Sequence, residues 1–224
     1  FGRVQYSFDN KYLLEGSIRY DGSSRFPLSL RYAAFPSVAA GWRLGQERFI
    51  ADNIKWIDEL KVKASYGVLG NQNIGNYPYQ NILVANSNTS YPFGGTIMTG
   101  AARTTLTDST IHWESTRTTD AGMEVSVLNK LFTFSATYFD KYTYNILVAP
   151  VGSVSNVLGF LVGAQNSAKL KNSGWEFTVG HQRSIGQVAY SINANLSIIN
   201  NKVIDLGVGN IKQPNGLTGN GNNL

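Results

Sequence analysis

The chain has 224 residues, no cysteine and a formal charge of +5, and only 15% of its residues are Asp, Glu, Lys or Arg. Without cysteine there is no disulfide framework, thiol nucleophile or cysteine-ligated metal site, and a mild charge spread along the chain is not a nucleic-acid footprint. The charged fraction lies well below the roughly 25% of an average soluble domain, which points to a β-rich protein with extensive non-aqueous contact or long polar loops.

The opening residues FGRVQYSF show no leader pattern, and no run of 18 apolar residues occurs, which excludes a conventional membrane helix. A spanning β-strand needs only about 10 residues with one apolar face, so a barrel stays open. Alternation dominates the chain. Val4, Tyr6 and Phe8 alternate with Arg3, Gln5 and Ser7, and a tight turn follows at Asp9-Asn10-Lys11. Tyr12, Leu14, Gly16, Ile18 and Tyr20 then alternate with Leu13, Glu15, Ser17 and Arg19. Asp21, Gly22, Ser23, Ser24, Arg25 and Phe26 read as the start of a loop to Tyr32. Gly22 would permit the reversal, the short polar side chains would bond the backbone, and Arg25-Phe26 would anchor the loop on the strand rim.

Further strands are expected at 37–44 and 60–67, flanking a stretch at 46–58 whose Phe49, Ile50, Ile54, Trp56 and Ile57 suit a short helix or an irregular tuck. Residues 67–110 form a long loop that sets Tyr77, Tyr79, Tyr91 and Phe93 beside Gly and Pro. Those rings could stack on a sugar or peptide, or pack the loop against its neighbours. Strands at 121–127 and 132–138 surround a tight turn at 128–130. After a long loop at 144–168, strands at 175–180 and 188–198 flank a tight turn at 183–187. The tail, 207–224, is rich in Asn and Gly and reads as a loop cut off before its return strand.

Tight turns and long loops fall on opposite ends of such a sheet, with 46–58 on the short-turn side, which is the layout of a transmembrane barrel. Tyr12, Tyr20, Trp42, Tyr66 and Tyr138 lie near strand ends, where a barrel carries its aromatic girdles. A soluble or surface-attached sugar-binding or adhesin-like β-sandwich accommodates the same alternation by facing the apolar residues toward a second sheet. Catalytic patterns are missing: His112 and His181 stand apart, no HExxH, GxSxG, P-loop or GxGxxG occurs, and Glu114, Asp120 and Glu124 have no matching carboxylate pair. Asp21-Gly22-Ser23-Ser24 is a weak candidate for holding an ion. No enzyme activity, metal or cofactor is expected.

The block YLLEGSIRYDGSSRF at 12–26 closely resembles a signature of the SusC/RagA family of TonB-dependent outer-membrane transporters of Bacteroidetes. In order follow Arg31-Tyr32, FPSVAAGWR at 35–43, LKVKASYG at 60–67, GNQNIGNY at 70–77, Trp113-Glu114, DAGME at 120–124, Phe139-Asp140-Lys141 and NSGWE at 172–176. The resemblance implies an all-β fold, a fragment of a 22-stranded antiparallel transmembrane barrel closed by a plug and energised by TonB. It also implies a SusD-like lipoprotein that captures oligosaccharide or peptide over the barrel. On that reading residues 1–206 are about eight consecutive barrel strands with extracellular loops at about 21–32, 67–110 and 144–168. The plug, the TonB-contacting region and the remaining strands lie elsewhere. Arg19, Lys61, Lys63, Glu124, Glu176 and Asn193 are expected on the wall facing lumen and plug.

Overall fold

The computed structural model describes residues 1–85, 89–150, 157, 159 and 161–207. The expectation of a tail loop lies, apart from Gly207, outside the described residues. Eight long strands run β1 (Gly2–Phe8), β2 (Tyr12–Gly22), β3 (Tyr32–Trp42), β4 (Ile57–Asn71), β10 (Glu114–Val127), β11 (Phe132–Val148), β13 (Gln165–Ile185) and β14 (Val188–Asp205). Between them lie the short strands β5 (Leu83–Ala85), β6 (Tyr91–Phe93), β7 (Thr96–Met98), β8 (Ala101–Arg103), β9 (Thr105–Leu106) and β12 (Leu161–Val162). The long strands form one antiparallel sheet in the order β1-β2-β3-β4-β10-β11-β13-β14, each paired with the next. The short ones pair as β5–β8, β6–β7 and parallel β9–β12 within the long connections.

Turn chemistry sets the short end. Asp9 and Asn10 take φ of 49° and 52°, and Lys11 N–H donates to Phe8 C=O at 3.0 Å, closing a turn in the left-handed region that Asp and Asn tolerate. Asn129 and Lys130 repeat this at 56° and 61°. Gly186, at φ 61°, opens a two-residue hairpin between Ile185 and Val188, so this turn is shorter than 183–187. Residues 46–58 hold the helix α1 (Arg48–Ala51) after a 3-10 turn at Leu44–Gln46.

The strands outrun the apolar alternation at the long-loop end. β2 includes Asp21 and Gly22, and β3 begins at Tyr32, so the first loop shrinks to 23–31. β4 continues to Asn71, β11 to Val148, and β13 starts at Gln165, while 67–110 is not plain loop but carries five short strands. Ladder bonds come from backbone groups, so a strand persists where Ser, Thr and Asn fill both faces and hydropathy has nothing to alternate.

Register fixes the faces, because paired residues share one. Val4, Gly16 and Val38 line up across β1–β3, as do Met123, Ala136, Phe177 and Leu196 across β10–β14. This apolar face is uncovered by any element among the described residues: Val4 is 73% exposed, Ile192 63% and Leu196 58%. The sandwich alternative finds no support here, since among the described residues no second large sheet packs on this face. Burial concentrates at the long-loop end, where Phe26, Phe35, Ile111 and Trp113 form one cluster.

Candidate functional site

The opposite face carries the polar series and encloses a recess of about 720 Å³. Gln5 on β1 and Glu176 on β13 both line it, so the sheet curls around its polar side. Register explains its charge arrangement. Lys61 stands directly opposite Glu124, and Lys63 is opposite Gly122, whose row continues through Thr137 to Glu176. The Glu124 carboxylate accepts from Lys63 Nζ at 2.5 Å and lies 3.5 Å from Lys61 Nζ. Nearby, Glu15 Oε2 accepts from Arg3 at 2.6 Å and from Gln5 at 2.8 Å, and Ser65 Oγ donates to Asp120 at 3.2 Å. These pairs are partly solvated, so water and salt screen them. They neutralise the wall locally and keep it wet rather than hold the fold together.

Of the six expected wall residues, Lys61, Lys63 and Glu124 meet. Arg19 sits at the long-loop end of the same face, bound to Asp21 at 2.9 Å; that ion pair occupies the carboxylate of the weak ion candidate. Glu176 stands three strands from Lys63 along one row, and Asn193 is on β14, opposite Gly180 near the short-turn end. Among the described residues no three His, Asp or Glu side chains gather as metal ligands.

At the long-loop end Phe26 is wholly buried, with its ring 4.9 Å from that of Trp113, which meets Phe35 edge-on at 5.4 Å. Trp113 Nε1 donates to Arg31 C=O at 3.1 Å, Arg25 donates to Gln72 C=O at 3.1 Å, and Ser23 Oγ accepts from Arg25 N–H at 3.3 Å. Gly22 has no positive φ, contrary to its expected reversal role; a Cβ there would come 2.5 Å from the Tyr32 ring, which would have to move aside. Tyr79 packs against the buried cluster, whereas Tyr77, Tyr91 and Phe93 are exposed, the last two on the β6–β7 hairpin. Asn166, at the start of β13, ties the second long connection to β11: its amide donates to His112 C=O and Asn145 C=O and accepts from His112 N–H. His181 is elsewhere, bonded to the Tyr190 hydroxyl at 3.1 Å.

Sequence reasoning missed Glu47 at the short-turn end. Its Oε1 accepts from Tyr12 OH at 2.8 Å and from Trp42 Nε1 at 3.1 Å, while Lys11 lies 3.5 Å from Oε2. The hydrogen bonds from Trp42 and then Tyr12 hold the Glu47 carboxyl below the usual carboxylate range, against the effect of burial. Burial works against the charge on Lys11, but Asp9 and Glu47 outweigh it and raise its pKa. No local motif marks Glu47; only the Tyr12–Trp42 register brings its partners together.

A single curled antiparallel sheet with one polar and one apolar face is the arrangement that β-barrel walls share. The chain belongs to the TonB-dependent receptor β-barrel family: the family model described as "TonB dependent receptor-like, beta-barrel" matches residues 1–224. Within it the chain is of the SusC/RagA kind. It is 35% identical over 184 residues to the TonB-dependent receptor SusC of Bacteroides thetaiotaomicron, covering 80% of this chain and 18% of that protein. Over 208 residues it is 33% identical to the TonB-dependent receptor P26 of Formosa agariphila, covering 92% of this chain and 20% of the relative. The solved RagAB peptide transporter superposes with a TM-score of 0.75 at 26% identity, over 95% of this chain and 23% of that one. The siderophore receptor PirA of Pseudomonas aeruginosa shares the fold alone, with a TM-score of 0.56 and 17% identity over 91% of this chain and 34% of that one. The chain thus spans about a fifth of the length of the curated relatives it matches. Its membership makes it a non-enzymatic, outer-membrane chain of the Bacteroidetes type.

Proposed function

We propose that this chain is part of the wall of a transmembrane barrel in a TonB-dependent transporter that imports an oligosaccharide or peptide. A plug would fill the lumen, TonB would energise it from the periplasm, and a SusD-like lipoprotein would lid the long-loop end. One observation carries the reading: the uncovered apolar face is bordered at both ends by aromatic pairs. Tyr12 stacks with Trp42 at 6.1 Å near the short turns, and Tyr20 stacks with Tyr32 at 5.6 Å near the long loops. Eight residues separate Tyr12 from Tyr20, about 26 Å along a strand. A tilt of about 40° reduces this to roughly 20 Å across a bilayer, close to the ~25 Å apolar band of outer-membrane barrels.

In this arrangement the long-loop end of the sheet faces the outside, where Tyr77, Tyr91 and Phe93 are available to a nutrient or to the lid. Lys61, Lys63, Glu124 and Glu176, with Arg19 above and Asn193 below, face the plug. Their mutual neutralisation favours a hydrated path without a large single-sign field. The test is uptake by the whole transporter in its own host, comparing labelled oligosaccharide and labelled peptide, with and without TonB and with the neighbouring lipoprotein gene deleted. Uptake of one class that disappears without TonB supports the reading. Recovery of the transporter outside the outer-membrane fraction, or uptake that persists without TonB, overturns it.

A further inference from the structure

The outward face above the second aromatic border is not uniform. Arg117, Tyr142, Lys171 and Lys202 pair successively across β10, β11, β13 and β14, so they occupy one row on the face that carries Tyr138 and Trp175. At about 4.8 Å per strand the row is roughly 14 Å long. Passing outward along these strands, the row Met123-Ala136-Phe177-Leu196 is apolar, and Ala121-Tyr138-Trp175-Ile198 is aromatic at its centre. Thr119-Asp140-Ser173-Asn200 is polar, and the next row is basic. That order is acyl chain, interface and headgroup.

Arg117 lays its guanidinium over the Tyr142 ring, 4.5 Å from the centroid, which holds the cation on the outer surface. Neither Arg117 nor Lys202 has a carboxylate partner among the described residues, and both are exposed. Lys171 is held by Asp140 at 2.6 Å, and Lys169 stands opposite Asp205. Two cations therefore remain unneutralised. On β2 and β3 the outward positions at this end, Ile18, Tyr20, Tyr32, Ala34 and Pro36, carry no charge. The cations are a local surface, not a general belt.

We propose that Arg117 and Lys202, flanked by Lys171, dock the phosphorylated headgroup of an outer-leaflet lipid. A guanidinium meets a phosphate with two parallel N–H donors, and the lysines add point charges. The inference rests on the reading that this face meets the bilayer with the long loops outside.

The test uses the whole transporter, purified from outer membrane in mild detergent and titrated by thermophoresis with mixed micelles of phosphorylated lipid A. The comparison is dephosphorylated lipid A of the same acyl composition. A headgroup cation is worth about five-fold in affinity, so two give roughly 25-fold. Wild-type protein is expected to prefer phosphorylated lipid A by about that factor. Arg117→Gln/Lys202→Gln should lose the preference, and Arg48→Gln, in the short-turn helix, should keep it. Equal wild-type affinity for the two lipids overturns the site without any variant having to fold. A folded double variant with wild-type preference overturns it too. Protein that does not fractionate with the outer membrane overturns the bilayer reading itself, whereas protein that does and ignores the phosphates overturns only the headgroup site.

Discussion

Gly70 and Phe35 cannot both carry full side chains. A Cβ at position 70 would sit 2.0 Å from Phe35 Cζ. Phe35 is only 7% exposed and packs on Trp113, so its ring has no free volume to enter. Gly70→Ala is therefore expected to destabilise the barrel by about 1–3 kcal/mol, the usual cost of overpacking, read as a lower urea midpoint of the refolded whole protein. Gly70→Ala/Phe35→Leu should recover most of the loss; a single variant as stable as wild type would show that the ring is not confined. Gly22 presents the milder version, because the Tyr32 ring that fills its side-chain space is 58% exposed and can swing away. The sequence reading of Gly22 as the residue that permits the reversal departs from the structure for a physical reason. Glycine is required both by positive φ and by close approach, and only coordinates separate the two.

Glu47 acts between elements. It fastens the connection from β3 to α1 onto Tyr12 and Trp42, the aromatic pair at the short-turn end of β2 and β3. Its carboxyl is held below the ordinary range in the folded chain, so the stabilisation is fully present above the unfolded value and lost as pH falls through the folded one. Wild type should accordingly be more stable than Glu47→Gln at pH 7, with the gap closing only in the acid range below the ordinary carboxylate pKa. Urea midpoints of the two proteins from pH 7 to pH 3 check this, and a gap independent of pH would show that Glu47 contributes shape and not charge. At this same scale the sequence was readable where one face is apolar: the alternation at Val188–Ile198 lies within β14, and that at Tyr12–Tyr20 within β2. It was blind to β13 around Asn172-Ser173, where both faces are polar, to the run of β11 beyond Tyr144, and to the five short strands between Asn71 and Glu114.

At the scale of the molecule the residues of the polar face could be listed in advance, but their contacts could not. Alternation puts Lys61, Lys63 and Glu124 on the inner face, while their meeting depends on a register between strands far apart in the chain. The cap at the long-loop end lay further from sequence inference, because its members come from four separate segments and share no period. Phe26 comes from the first loop, Phe35 from β3, and Ile111 and Trp113 from the approach to β10, with Ile74 and Tyr79 packed around them. Trp113 also bonds Arg31 C=O, and Arg25 reaches Gln72 C=O, so the first two long connections share one anchor. Removing a buried tryptophan ring typically costs about 3–5 kcal/mol, here drawn from both connections at once. In Trp113→Ala, hydrogen exchange of peptides covering 23–31 and 72–80 should accelerate together, because opening either segment now requires breaking only what remains of a shared cluster. Peptides covering 43–56, at the opposite end of the sheet, should keep wild-type protection. Acceleration confined to 72–80 would mean that the first loop is held by its own Ser23 and Arg31 bonds and that the two connections move independently.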